Sequence, residues 1–241
     1  MASPFNPYQA PAVEPLPIIG AGDFDLGQTI KDGFDRTKQY LVPAISVLLL
    51  GGLLMLLSAV TVIGYFLAVP VFVWGMFKFF LNMQDQRQPQ LNDLFAGFSN
   101  YGTVLGRMLL LTVLYVGTTL LSESLVFVGQ FMKSTPVTVV GYVIYLAFFV
   151  FVLSRFFFAF FFVVDRDMPA LEALSASWRA TEGKALKMTG LALVSGLIGM
   201  CGVIGLCVGV FFTVPMSYVM YVSAYRQVVG YGPPAAGGWG S

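Results

Sequence analysis

Histidine is absent from this 241-residue chain, charged residues make up only 10% of it, and cysteine occurs twice. The lack of imidazole excludes every mechanism that uses histidine as a general base, a general acid or a metal ligand. With 13 basic and 12 acidic side chains, the chain also lacks the basic surplus that a nucleic-acid-binding protein needs. Because a soluble domain is about one-quarter charged, the scarcity of charge excludes a compact soluble protein as well.

Hydrophobic residues are what the sequence has in excess, at 57%. No charged residue occurs in 41–77 or in 188–225, and each run is long enough for two spans of about 20 residues. We place the turns near 58–64 and 202–205. Single spans are predicted at 104–121 and from 137 to beyond 152. Spans of this length must be helices, because hydrocarbon offers no partner for open backbone groups. The sequence therefore predicts an all-α integral membrane protein with six transmembrane helices.

Three segments of the chain share a pattern. Residues 89–98 and 169–178 both read P-x-L-x-x-L-x-x-x-aromatic, and a fainter copy ends at Phe34. Their apolar residues recur at helical spacing among polar ones, so each segment is predicted to be a short amphipathic helix in the membrane interface. The closing aromatic residues Phe34, Phe98 and Trp178 would anchor these elbow helices.

The predicted architecture is three hairpin repeats, each preceded by one interfacial amphipathic helix. The membrane domain covers 25–228, with repeats at about 25–86, 89–164 and 167–228. A proline-rich tail, 1–24, and a Gly/Pro-rich tail, 229–241, would flank it as flexible segments. The middle repeat carries an insertion at about 122–136, which we expect to lie flat on the outer surface or to cover the bundle.

A second repeated pattern lies in the last helix of two of the predicted repeats, where GYFLAVP and GVFFTVP share their first and last residues at the same spacing. Proline inside a helix frees the carbonyl four residues earlier, so Pro70 and Pro215 are predicted to kink their helices. Such kinks serve either as hinges or, in the interpretation we favour, as a way of shaping helices to pack around a neighbour. The middle repeat has Ala147 at this position.

Basic residues are distributed unevenly between the two sides. With the N-terminus in the cytoplasm, twelve of the 13 Lys and Arg residues fall inside and only Lys133 falls outside. This asymmetry predicts a multi-pass protein of the bacterial inner (plasma) membrane, with both termini cytoplasmic. Cys201 and Cys207 would lie toward the outer leaflet, and both inert thiols and a disulfide remain open for them.

Lys78 and Arg155 are the candidate functional residues, because ionisable groups close to a bilayer core are costly. Both stand eight residues after the Pro70 position of their repeat, where the third repeat has Ser223. One interpretation is contact with an anion or a lipid headgroup. The other is that both snorkel at cytoplasmic helix ends, and that the phenylalanines after them form an interfacial belt.

Catalytic, cofactor-binding and metal-binding motifs are not found in the sequence. The carboxylate pair Asp165 and Asp167 sits at the predicted water boundary, where Asp167 is expected to cap the helix that starts at Pro169. We therefore predict no enzyme activity and no cofactor.

Three stretches resemble a known family: Asn6-Pro7-Tyr8, DMPALEALSASWRATEG, and GVFFTVPMSYVMYVSAYRQ. They look like a widespread group of bacterial six-helix integral membrane proteins, largely of unknown function. That group is related to the membrane domain attached to some glycerophosphodiester phosphodiesterases. The resemblance covers mainly 165–228 and implies the fold rather than an activity, since the chain contains no phosphodiesterase catalytic domain.

The predicted function is that of a structural or accessory inner-membrane protein that organises lipid or a partner membrane complex. Its partners would be membrane lipids and further copies of itself or other subunits, and no nucleic acid. The alternative is a small-molecule or lipid transporter or pore built from three pseudo-equivalent hairpins. A path through such a protein would need Lys78, Arg155 and Ser223, with Thr213 or Ser217, to converge.

Overall fold

The computed structural model describes residues 22–204 and 209–230, and within these ranges the chain is helical and has no strand. The all-α prediction is confirmed for this part of the chain. The α-helices are, in order, α1 (Leu26–Gln39), α2 (Leu41–Ser58), α3 (Val62–Gln84), α4 (Tyr101–Phe131), α5 (Thr135–Phe156), α6 (Phe158–Arg166), α7 (Ala170–Thr181), α8 (Ala185–Ile204) and α9 (Val210–Val229). A 3₁₀ helix, Leu91–Phe98, lies between α3 and α4.

Five segments are long and apolar enough to cross a membrane, as expected of a membrane protein. They are Leu41–Ser58, Ile63–Gln84, Tyr101–Phe131, Thr135–Arg166 and Ala185–Val203. The fourth of them joins α5 and α6. The last helix, α9, has 20 residues but is more polar than these five, with Arg226 in its last turn and Pro215 inside it.

The middle hairpin is longer than predicted. Helix α4 does not end near residue 121 but continues to Phe131, for 31 residues in all, and α5 already begins at Thr135. The predicted insertion at 122–136 is therefore mostly a continuation of the two helices, not a separate surface segment. No proline interrupts the stretch between residue 121 and Pro136, at the start of α5, so α4 can continue through it while it packs against α5.

The turn between α2 and α3 lies where it was predicted. Helix α2 ends at Ser58 and α3 begins at Val62, after Thr61, whose Oγ1 accepts a hydrogen bond from the backbone N–H of Gly64 at 3.1 Å. The turn between α8 and α9 and Cys207 fall in 205–208, outside the described residues, as do 1–21 and 231–241. Cys201 is exposed.

Aromatic rings from α3, α6 and α9 form the centre of the packed core. Phe80 stacks on Tyr218 with ring centroids 4.7 Å apart, and Phe161 lies 5.3 Å from Tyr225. Five phenylalanines of α3 and α6 are completely buried: Phe79, Phe80, Phe158, Phe161 and Phe162. The interpretation that the phenylalanines after Lys78 and Arg155 form an interfacial belt is wrong for these five, because neighbouring helices cover them on every side.

Each short helix packs against one or two of the other helices. Helix α1 packs on α9, the 3₁₀ helix on α3, and α7 on α5 and α6. Small residues permit the close approach: a Cβ on Gly33 would lie 2.5 Å from Met220 Cγ, and one on Gly97 would lie 2.9 Å from Val71 Cγ1. Helix α7 presents buried alanines for the same purpose.

Candidate functional site

Arg155, at the end of α5, is held by helix α7. Its Nη1 donates a hydrogen bond to the carbonyl oxygen of Thr181 at 2.8 Å, and its guanidinium carbon lies 4.9 Å from the centre of the Trp178 ring. Its own carbonyl accepts a hydrogen bond from Ser177 Oγ at 2.7 Å. No carboxylate of the described residues lies within ion-pair distance of this guanidinium. Arg155 is therefore fixed in position but keeps an unneutralised charge.

An apolar groove runs from Arg155 along the surface between α5 and α8. It has a volume of about 510 Å³. Most of its wall is aliphatic and exposed, and Leu146 and Leu193 expose more than half of their surface. Its lining residues are Val143, Leu146, Ala147, Val150, Phe151, Ser154, Arg155, Ala185, Thr189 and Leu193. The groove thus combines one cationic end with an apolar length.

Lys78 lines a smaller and more polar cavity, of about 250 Å³, between α3, the 3₁₀ helix and the start of α4. The side chain is partly buried and has no hydrogen bond or ion pair among the described residues. The other lining residues are Trp74, Ala96, Ser99, Asn100, Thr103, Val104 and Asp167. This cavity therefore holds a cation and a carboxylate together.

Asp167 does not cap α7 as predicted. It is the C-terminal cap of α6, with φ at 53°, and Pro169 stands at the N-terminal cap of α7. Its side chain is 76% exposed and forms an ion pair with Arg107, whose Nη1 also donates to the Asp167 carbonyl oxygen at 2.8 Å. Aspartate tolerates a left-handed backbone better than most residues, which explains why it can end this helix.

A second apolar groove, of about 370 Å³, lies between α3 and α4 beside Pro70. Nearby, the hydroxyl of Tyr101 donates a hydrogen bond to the carbonyl oxygen of Leu67 at 3.1 Å. This hydrogen bond joins the start of α4 to the turn of α3 that precedes Pro70. Pro70 and Pro215 both lie inside helices, as the sequence predicts.

The three predicted anchors lie on the short helices, and each contacts an aromatic ring. Phe34 meets Phe212 at 5.6 Å, Phe98 meets Phe72 at 5.3 Å, and Trp178 meets Phe156 at 5.8 Å between ring centroids. All three keep between 41% and 48% of their surface exposed. Each of these side chains therefore packs partly against the protein and leaves the rest of its surface exposed.

A buried charge cluster, which sequence reasoning missed, joins the ends of α3, α6 and α9. The Arg226 guanidinium lies between two carboxylates and pairs with both through two hydrogen bonds each. Its Nε and Nη2 donate to Asp85 at 2.9 and 2.7 Å, and its Nη1 and Nη2 both donate to Asp165 at 2.7 Å. Tyr225 adds a hydrogen bond to Asp165 at 3.0 Å.

The cluster is shielded from solvent. The side chains of Arg226, Asp85 and Asp165 are 5%, 6% and 14% exposed. Bidentate pairing is the strongest form of arginine–carboxylate contact, so this cluster fixes three helix ends to one another. The sequence signal was that charged residues recur at or just after the ends of these helices: Asp85 after α3, Asp165 in α6 and Arg226 in α9.

Side chains also tie the N-terminal part to the C-terminal helix and to α8. Ser223 Oγ donates to Asp32 at 2.6 Å, and the backbone N–H of Asp25 donates to Gln227 at 2.9 Å. The ammonium of Lys187 hydrogen-bonds Asp23 and thereby lowers the pKa of that carboxyl below its usual value.

The predicted cations are not brought together. Lys78 and Arg155 line separate cavities on different helix pairs, and Ser223 is engaged with α1. Among the described residues there is no group of three or more Cys, Asp or Glu side chains arranged to hold a metal ion. This arrangement is suited to binding an anionic group, because Arg155 lies at one end of an apolar groove and Lys78 lines a cavity with both polar and apolar residues.

Comparison with known proteins adds no relative: no family model, no curated protein and no solved structure matches this chain. The resemblance to bacterial six-helix membrane proteins stays a prediction.

Proposed function

We propose that this chain is a structural membrane protein that binds phospholipid in grooves on its membrane-facing surface and has no catalytic activity. The observation that carries this proposal is Arg155, a positioned guanidinium without a carboxylate partner at one end of the apolar α5–α8 groove. An acyl chain fits the aliphatic length of such a groove, and a phosphate fits its cationic end.

The chemistry at Arg155 favours phosphate over a neutral ligand. One nitrogen of the guanidinium is occupied by Thr181, and the Trp178 ring supports its face. The remaining N–H groups are suited to pair with phosphate oxygens, which arginine binds more strongly than water-exposed lysine does. Because the groove has a cation at its end and no carboxylate to receive a positively charged headgroup, an anionic phospholipid would be preferred over a zwitterionic one of the same chain length.

The architecture behind this function is six spans in three hairpin repeats, with α9 as the sixth span. The polar residues of α9 are compatible with a membrane position because they have partners inside the protein, as Ser223 has in Asp32 and Arg226 in Asp85. The short helices would lie in the cytoplasmic interface of a bacterial inner membrane, with both termini on that side. Their half-exposed aromatic anchors support this placement.

Transport is less well supported. A carrier or pore built from these hairpins would need its polar groups to face one path, and Lys78, Arg155 and Ser223 instead face three different neighbours.

The proposal is tested by native mass spectrometry of the protein released from nanodiscs that hold equal amounts of phosphatidylglycerol and phosphatidylcholine of one chain length. We expect the retained lipid to be enriched in phosphatidylglycerol by about fivefold, the effect of one charge-assisted contact in a partly wet site. Arg155→Ala should remove most of that enrichment. The matched control is Arg179→Ala, which removes an exposed arginine of α7.

The outcome that contradicts the proposal is equal enrichment in Arg155→Ala and Arg179→Ala, or no retained lipid in the wild type. The same spectra give the number of copies in the complex, which bears on the predicted homo-oligomer or larger assembly.

A further inference from the structure

The Lys78 cavity differs from the Arg155 groove in one chemical respect, since it contains a carboxylate as well as a cation. The Asp167 side chain shares the cavity with Lys78, and its Oδ1 accepts from Arg107. A carboxylate offers about four lone-pair positions, so one ion pair leaves Asp167 able to accept further hydrogen bonds. Its 76% exposure keeps these positions open to a ligand.

We propose that this cavity binds a phospholipid whose headgroup carries a primary amine, with the phosphate on Lys78 and the ammonium on Asp167. The inference rests on the proposed lipid-binding function and deepens it, because it assigns a second headgroup class to a second site. Opposite charges in one small cavity match the opposite charges of a phosphoethanolamine group. A purely anionic headgroup would place its extra negative charge beside Asp167.

Polar groups that line the rest of the cavity suit the same ligand. The Asn100 side chain is exposed and makes no hydrogen bond among the described residues, although it stands at the N-terminal cap of α4. The hydroxyl of Ser99 donates to the carbonyl oxygen of Ala96 at 2.7 Å, which leaves its own oxygen free to accept. The Asn100 amide can donate to a phosphate oxygen, and Ser99 can accept from an ammonium.

The acyl chains of such a lipid would have an apolar path between the same two helices. The α3–α4 groove is lined by residues of both helices, including Pro70 and Leu109, while the Lys78 cavity lies between the later part of α3 and the first turn of α4. Headgroup and chains can therefore be held by one interface, as Arg155 and its groove would hold an anionic lipid on another.

The experiment uses nanodiscs with equal amounts of phosphatidylethanolamine and phosphatidylcholine of one chain length, and native mass spectrometry of the released protein. The two lipids differ in whether the headgroup nitrogen can donate a hydrogen bond to a carboxylate. We expect the wild type to retain phosphatidylethanolamine over phosphatidylcholine by about threefold, a modest ratio because Asp167 is largely exposed and its charge is screened.

Variants separate the roles of the two charges. Asp167→Asn, which keeps a residue tolerant of the left-handed backbone, should reduce the ratio to about one, while Asp35→Asn on the exposed face of α1 should leave it unchanged. Lys78→Ala should lower the amount of both lipids retained. Arg107→Gln breaks the ion pair but keeps the Asp167 carboxylate, so the preference should survive in it.

Equal retention of the two lipids in the wild type would overturn the inference. An equal loss of preference in Arg107→Gln and Asp167→Asn would overturn it as well. That result would mean that the preference depends on the Arg107–Asp167 ion pair as a structural contact and not on the Asp167 carboxylate as a partner of the ammonium. Neither result bears on the proposed lipid binding at Arg155, because that binding is measured separately with phosphatidylglycerol. Conversely, a wild type that retains no phosphatidylglycerol but still selects phosphatidylethanolamine would refute only the proposal for the Arg155 groove.

Discussion

Replacing Arg226 by alanine should be among the most destabilising single changes in this protein. The guanidinium makes four hydrogen bonds of 2.7–2.9 Å to two carboxylates, which belong to α3 and α6. Its removal leaves Asp85 and Asp165, 6% and 14% exposed, without the charge that neutralises them. Arg166 lies 3.4 Å from Asp165 and can compensate only on that side.

The expected loss in the free energy of unfolding is about 3–5 kcal/mol, the range measured when one partner of a buried ion pair is removed. Most of this is the cost of two buried carboxylates that have lost the arginine, although Asp165 keeps its hydrogen bond from Tyr225, and not the loss of attraction itself. The stability of Arg226→Lys should lie between that of the wild type and that of Arg226→Ala, with a loss of about 1–3 kcal/mol in the free energy of unfolding. The reason is that an ammonium keeps the charge but cannot pair with both carboxylates in a bidentate way.

The assay is equilibrium unfolding in mixed micelles with increasing sodium dodecyl sulfate, followed by circular dichroism, with Arg179→Ala as the matched control. A third protein tests the cause: Arg226→Met combined with Asp85→Leu and Asp165→Leu removes all three charges of the cluster and should be more stable than Arg226→Ala. The reasoning is refuted if Arg226→Ala unfolds within about 1 kcal/mol of the wild type, or if the triple variant is no more stable than Arg226→Ala.

Two further predictions concern packing and orientation. Gly75→Ala would push a methyl group into the backbone of the 3₁₀ helix, and should lower the free energy of unfolding by about 1–3 kcal/mol in the same assay; Gly106→Ala, with open space around it, should lower it by nothing measurable. In a background without native cysteines, Met132→Cys at the α4–α5 turn should react with an impermeant maleimide on intact cells and Arg87→Cys should not; the reverse pattern would contradict the predicted cytoplasmic termini.

Uncharged runs were enough to predict most of the helices, since hydrocarbon forces long apolar segments to be helical. They also located the turn after Ser58, because a run of that length cannot cross as one span. The length of α4 was not predicted, because an apolar segment such as 122–131 reads equally as a surface insertion or as more helix. The choice depends on packing against α5, which only the tertiary structure supplies.

The candidate site was predicted in part for a similar reason. The cost of ionisable groups near a bilayer core and their position in the predicted repeat pointed to Lys78 and Arg155, and both line cavities. The pairing of Arg226 with Asp165 could not be read from the chain, because the two stand 61 residues apart. The buried phenylalanines of α6 were misassigned because an aromatic run at a helix end is typical of a membrane interface as well as of a core.

The basic residues fall into two groups according to their partners in the structure, a difference that their distribution between the two sides of the membrane does not show. Arg107, Lys187 and Arg226 each pair with a carboxylate from a distant part of the chain, and in doing so they hold helices together. Lys78 and Arg155 have no such pair within the described residues, and each stands at the wall of a cavity. A cation that the fold itself does not neutralise, kept beside space for a ligand, is better explained by a ligand that brings the negative charge. A phospholipid, the ligand proposed for both cavities, would bring that charge in its phosphate group.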